Sequence, residues 1–250
     1  MRIGIDVRCL ADGKHTGVEE YVQALLNELF TQDTVNEYVL FFNARKDPVP
    51  AFVESIVAQY PNVSLVAFRF PNKLLNICLW YFGLPHLDRL VGGTDIFFLP
   101  NLNFAAVSNR SKLVVTAHDL SFELFPETFS WKRRAWHFLV HFRRLVYRAD
   151  RVIAISRSTQ DDLVARYGIS ASKIALIPSG IDNRFRPMSR NDVSLVSVKE
   201  KYGLPYRFIL YLGTFEPRKN ILAIVRAYEA LIRTGGPAVK QYALVLAGSH

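Results

Sequence analysis

The chain has 250 residues, half of them hydrophobic and 21% charged, with a formal net charge of +9. That length suits one large α/β domain or two smaller ones, and the composition excludes an intrinsically disordered chain. No apolar run reaches the roughly 18–20 residues that span a bilayer, and acidic Asp6 stands where a signal peptide would stay apolar, so a cytoplasmic protein is expected.

Short apolar runs occupy 3–7, 38–42, 63–68, 95–99, 113–117, 152–155, 174–177, 208–212 and 243–246. They are rich in Val, Ile, Leu and Phe, and several lack polar alternation, as strands buried on both faces do. Between them, helices are expected at 18–30, 50–59, 74–90, 131–149, 158–167 and 219–233. This alternation predicts a doubly wound α/β fold with a parallel sheet. Pro178-Ser179-Gly180-Ile181-Asp182 breaks the pattern, and Pro187 and Pro205 bracket a polar stretch. The expected organisation is a first domain over 1–180, a linker over 181–205 and a second unit over 206–250. That unit holds only two expected strands and one helix, too little for a covered core, so it is expected to be an incomplete domain.

The positive charge favours phosphate-bearing partners without choosing among nucleotide, lipid headgroup and nucleic acid. No nucleic-acid-binding motif accompanies it, so no nucleic-acid partner is expected. Cys9 and Cys78 have neither metal-ligand spacing nor a Cys-x-x-Cys arrangement, and isolated reduced thiols are expected.

Four segments could carry chemistry. The loop 11–20 joins the first strand to a helix and holds Gly13 and Gly17, where backbone amides could receive an anion or form an ordinary β-α turn. His118 follows a buried strand, where open α/β sheets place ligands, and its imidazole could titrate or bond a sugar hydroxyl; a structural histidine is the alternative. Asp119 could orient that ring or cap the next turn. In Gly213-Thr214-Phe215-Glu216-Pro217-Arg218-Lys219-Asn220, Arg218 and Lys219 are expected beside a helix N-terminus, which disfavours cations unless an anion such as a diphosphate lies between. The alternative is a pair of solvated charges. Over 131–151, helical spacing puts Arg133, Arg134, Arg144 and Arg148 on one basic arc beside a wide apolar one. Packing on the sheet and contact with an anionic membrane surface both fit that arc, and the aromatic run Trp80-Tyr81-Phe82 in a neighbouring segment adds to the second.

Taken in order, these segments resemble glycosyltransferase family 4, the retaining group with the GT-B fold. The likeness is carried by Arg2-Ile3-Gly4-Ile5-Asp6 with Thr16-Gly17-Val18, and by His118-Asp119-Leu120 with Phe125-Pro126. Ala149-Asp150-Arg151-Val152-Ile153-Ala154-Ile155-Ser156, Ile177-Pro178-Ser179-Gly180-Ile181-Asp182 and Gly213-Thr214-Phe215-Glu216-Pro217-Arg218-Lys219-Asn220 extend it along the chain.

The resemblance implies an acceptor-side first domain and the start of a donor-side second one, both Rossmann-like. It implies a nucleotide-diphosphate sugar as donor substrate, a glycan or lipid-linked acceptor, and transfer with retention, with no metal and no cofactor. His118, with Asp119 beside it, takes the catalytic position at the transferred sugar. Gly17, Glu216, Arg218 and Lys219 take the donor positions at the diphosphate, although Thr214 stands where some members carry Arg. The leaving diphosphate would be stabilised by fixed charge in a closed cleft, with closure across the linker as the gating step. The family's pair of glutamates eight positions apart falls beyond the point corresponding to His250, so the 250-residue chain is expected to be inactive alone, with another chain supplying the rest of the donor half as one expectation. The competing reading is a non-catalytic α/β module that docks on a membrane, at its inner face, or on a partner.

Overall fold

The structure is a computed structural model that describes residues 1–11, 16–182, 185–189 and 192–248. The expected loop residues Gly13, Lys14 and His15 lie outside the described residues.

Apolar, β-branched and aromatic runs form β1 (Arg2–Asp6), β2 (Glu37–Asn43), β3 (Val63–Phe68), β4 (Ile96–Leu99), β5 (Lys112–Ala117), β6 (Arg151–Ala154) and β7 (Ile174–Leu176). They make one seven-stranded sheet in the order β3-β2-β1-β4-β5-β6-β7, every neighbouring pair parallel. Pleating sends Tyr38, Leu40 and Phe42 to one face, where they join Ile5 and Val63 in a core closed by helices. Val39, Phe41, Phe97, Leu99, Leu113 and Val115 are also buried, so the sheet is covered on both sides and its continuous apolar strands are explained.

Helix α1 (Gly17–Gln32) shows how the sequence specifies a covering element. Thr16 and Glu19 form a reciprocal capping box at its start. Val22, Leu26 and Phe30, spaced by four, then lay one fully buried stripe on the sheet. Phe30 and Tyr38 meet with ring centroids 4.8 Å apart, and the Tyr38 hydroxyl donates to Asp33 Oδ2 at 2.7 Å. Helix α2 (Ala51–Gln59) adds Val53 and Ile56 to the same core.

Two expected helices are broken. The stretch 74–90 becomes α3 (Asn72–Ile77), a π turn (Cys78–Phe82) and the short α4 (Leu87–Leu90). Gly83 ends the π turn with φ of 63° and its amide on the Cys78 carbonyl, a left-handed cap that glycine adopts freely. After the short α5 (Ser121–Leu124), the stretch 131–149 becomes α6 (Trp131–Val140) and α7 (Phe142–Arg148). His141 separates them in a left-handed conformation with φ of 51°. The basic arc expected of one continuous helix therefore does not exist: Arg133 and Arg134 belong to α6, Arg144 and Arg148 to α7. Helix α8 (Arg157–Tyr167) starts on a Ser156 cap and ends on left-handed Gly168.

The chain divides into two compact units, Met1–Ser121 with Lys132–Gly180, and Phe122–Trp131 with Ile181–His250. Segment 122–131 thus groups with the second unit. The expected linker contains a helix, α9 (Val193–Tyr202), capped by Asp192, whose side chain accepts the Ser194 amide, and closed by Gly203 with φ of 57°. In the second unit β8 (Phe208–Leu212) pairs in parallel with β9 (Ala243–Ala247), and α10 (Ile221–Thr234) joins them. Ile209 and Leu210, successive residues on opposite faces of β8, are both exposed. Among the described residues no helix is long and apolar enough to cross a membrane.

Candidate functional site

The strand order reverses around β1, with β2 on one side and β4 on the other. At such a switch point the loops leaving the carboxyl ends of adjacent strands part and open a crevice. The start of α1, Pro100 after β4 and His118 after β5 all follow carboxyl ends of this parallel sheet.

His118 is held on three sides. Its Nε2 lies 2.9 Å from the carbonyl oxygen of Pro100, and because a carbonyl only accepts, Nε2 carries the proton. Tyr21, from the first turns of α1, meets the ring edge-on with centroids 5.0 Å apart. Thr159 Oγ1 donates to the His118 carbonyl at 3.0 Å. Burial holds the imidazole pKa below its usual 6.5, against smaller upward effects of the Pro100 carbonyl and the Asp119 charge. The ring is then neutral at physiological pH, and its Nδ1 is left as a hydrogen-bond acceptor. An alcohol donating to Nδ1 is what this geometry can hold.

Asp119 has a different task from orienting that ring. Its Oδ1 accepts from the Ser121 amide at 3.0 Å and the Ser121 hydroxyl at 2.6 Å, the local turn that Asp favours before a short helix. Among the described residues it makes no hydrogen bond to His118.

Gly17 is the first residue of α1, and a Cβ built there meets nothing within 4 Å. The capping box occupies the Thr16 and Glu19 amides, with Glu19 Oε2 2.9 Å from the Thr16 nitrogen. The Glu20 amide donates to the Thr16 carbonyl. The Gly17 position is therefore open to close approach from outside the helix.

In the second unit, Arg218 Nε donates to Glu216 Oε2 at 2.8 Å. Residues Pro217–Lys219 form a 3-10 turn, Asn220 is left-handed with φ of 49°, and α10 begins only at Ile221. Arg218 and Lys219 so lie outside the first turn of α10, and Arg218 has a carboxylate partner. The electrostatic conflict that pointed to a bound anion is relieved inside the protein. Lys219 is exposed and forms no ion pair among the described residues, so it is the cation of this turn free to meet a phosphate.

Of the four arginines expected on one surface, Arg148 is tethered by hydrogen bonds although it stays exposed. Its Nη2 donates to the Val107 and Ser108 carbonyls at 2.6 and 2.9 Å. Arg133, Arg134 and Arg144 are exposed. Among the described residues no group of three or more His, Cys, Asp and Glu could hold a metal ion.

Tyr21, Pro100 and Thr159 are the residues that sequence reading missed. Tyr21 sits one turn after Gly17, and Thr159 three residues after the Ser156 cap, whose side chain accepts its amide. Those local signals mark helix starts, but not that the starts converge on His118.

A family model described as Glycosyltransferase Family 4 matches residues 15–185. Among curated proteins, the serotype-specific mannosyltransferase WbdA of Escherichia coli is 33% identical over 138 residues, covering 54% of this chain and 16% of WbdA. The O-antigen chain mannosyltransferase B of Escherichia coli is 26% identical over 222 residues, covering 86% of this chain and 57% of that protein. Among solved structures, Anabaena Alr3699/HepE in complex with UDP-glucose superposes with a TM-score of 0.58 at 21% identity, covering all of this chain and 61% of that one. The apo lipopolysaccharide outer core galactosyltransferase WaaB gives a TM-score of 0.56 at 17% identity, again over 61% of its length. The chain spans only part of the length of these relatives, and the fold it shares with the two structures is of the GT-B type. On the match to more than half of its residues, the chain belongs to glycosyltransferase family 4.

Proposed function

We propose that this chain takes part in transfer of a sugar from a nucleotide-diphosphate sugar to a glycan or lipid-linked acceptor, with retention at the anomeric carbon. The observation that carries the reading is the neutral, three-sidedly held His118 at the carboxyl edge of the sheet beside the switch point. Its Nδ1 accepts a hydroxyl of the transferred sugar and fixes the ring for reaction. The bond from the anomeric carbon to the diphosphate breaks, a bond to an acceptor hydroxyl oxygen forms on the same face, and the hydroxyl proton leaves with the diphosphate. In the first unit, backbone amides at the start of α1, where Gly17 leaves room, stabilise the charge that develops on the leaving group; in the second unit, Lys219 is the exposed cation available to a phosphate. Glu216 holds Arg218 and shapes the turn that presents Lys219. The mannosyltransferase relatives support sugar transfer, and the UDP-glucose complex of HepE supports a nucleotide sugar as donor.

Calorimetric titration with UDP, GDP and their sugar conjugates, beside Lys219→Ala, tests the reading. Saturable binding that the variant loses is expected. A folded chain that binds none of these nucleotides would instead support the docking-module reading, in which the chain carries no donor site.

A further inference from the structure

A second concavity in the first unit has no part in the His118 arrangement. It encloses about 320 Å³ between the π turn Cys78–Phe82, the loop 104–109 and the facing side of α7. Leu113, the second residue of β5, lines it, whereas His118 follows the last residue of that strand. At ~3.3 Å per residue the two are roughly 16 Å apart along the sheet.

The rim is aromatic and outward. Trp80, Tyr81 and Phe82 all line the groove, yet Tyr81 and Phe82 remain 71% and 65% exposed. Their rings pack on one another, with centroids 6.1 Å apart for Trp80–Tyr81 and 4.8 Å for Tyr81–Phe82. The knuckle is thus ordered by its own contacts and by the Gly83 cap. Leu74 and Ile77 on α3 extend the exposed apolar strip.

The opposite wall is cationic. Arg144 and Arg148 line the groove, and no carboxylate does. Arg148 is committed to the carbonyls of Val107 and Ser108, whereas Arg144 makes no hydrogen bond or ion pair among the described residues. Helix α6, whose Leu139 and Val140 also line the groove, carries exposed Lys132, Arg133 and Arg134 in its first turn.

We propose that this groove and its rim are a docking site for the surface of an anionic phospholipid bilayer. Arg144 takes a headgroup phosphate, and Trp80, Tyr81 and Phe82 enter the boundary between headgroups and acyl chains, where amphipathic rings are favoured. A planar anionic surface satisfies the aromatic knuckle and the spread of cations together, and it complements a protein of net charge +9. The site is independent of nucleotide binding and of the transferase reading.

Co-sedimentation with vesicles of phosphatidylcholine and phosphatidylglycerol, against phosphatidylcholine alone, tests the proposal without any nucleotide. Binding to the anionic vesicles that weakens with added salt is expected. Arg144→Glu should weaken it by roughly fivefold or more, and the double change Tyr81→Ser with Phe82→Ser should reduce it at least as much. All three positions are exposed, and circular dichroism of each variant confirms that the fold persists. Absence of vesicle binding, or binding that both variants retain, overturns the proposal. So does a loss of self-association in the Tyr81→Ser, Phe82→Ser variant with no vesicle binding by the parent, which would assign the groove to a second copy of the chain.

Discussion

The His118 Nε2 lies 2.9 Å from the Pro100 carbonyl oxygen, joining the residue after β5 to the residue after β4. That contact fixes the tautomer, and burial keeps the ring from taking a second proton. An unfolded chain binds a proton at His118 more readily than the folded one, so stability from this residue falls as pH drops below 6.5 through the lower folded value. Urea unfolding at pH 7.5 and at pH 5.5, in parent and His118→Asn, should show a smaller loss on acidification in the variant. Equal losses would mean that His118 is not the group resisting protonation.

The end of β1 is tied to the loop after β4 by a buried charge pair. Arg8 Nη2 lies 2.6 Å from Asp6 Oδ2 and 2.7 Å from the Phe104 carbonyl oxygen, with both side chains almost fully buried. Arg8→Ala strands a buried carboxylate and should cost about 3–5 kcal/mol in urea unfolding. Pairing it with Asp6→Ala should recover part of that loss, because the residual penalty comes from the unpaired charge.

Gly4 and Gly17 separate two uses of glycine. A Cβ at Gly4 would stand 2.6 Å from Phe97 Cδ2 and 3.0 Å from Thr94 Cγ2, inside the β1–β4 contact. Gly4→Ala should destabilise the protein by about 1–3 kcal/mol through overpacking, measured as a lower denaturation midpoint.

At Gly17 the added methyl meets nothing. Gly17→Ala should leave stability within about 0.5 kcal/mol of the parent while weakening nucleotide-diphosphate binding in calorimetry. A variant that binds as the parent does would remove the start of α1 from the donor site.

The alternation of apolar runs with amphipathic stretches was enough to locate the strands of the two sheets among the described residues to within a residue or two at their ends. Helix ends marked by local chemistry were legible too, as at the Thr16–Glu19 box. The break after Phe82 was written in Gly83 and Pro85, residues that end helices, though the expected 74–90 span ran through them; the break at His141 was not, since helical spacing continues through it. For that reason the expected arc of Arg133, Arg134, Arg144 and Arg148 dissolved.

The sequence by itself determined the fold class, the sheet-forming segments and the family, because periodicity, capping and motif spacing are written within a few tens of residues. Only the tertiary structure decided what the polar groups do. Tyr21 reaches His118 across 97 positions, Arg148 holds the Val107 and Ser108 carbonyls while staying exposed, and Asp119 accepts its hydrogen bonds from Ser121 and acts on the imidazole through its charge. Such pairings depend on which loops the parallel crossovers bring to one end of the sheet, and no local pattern encodes that meeting.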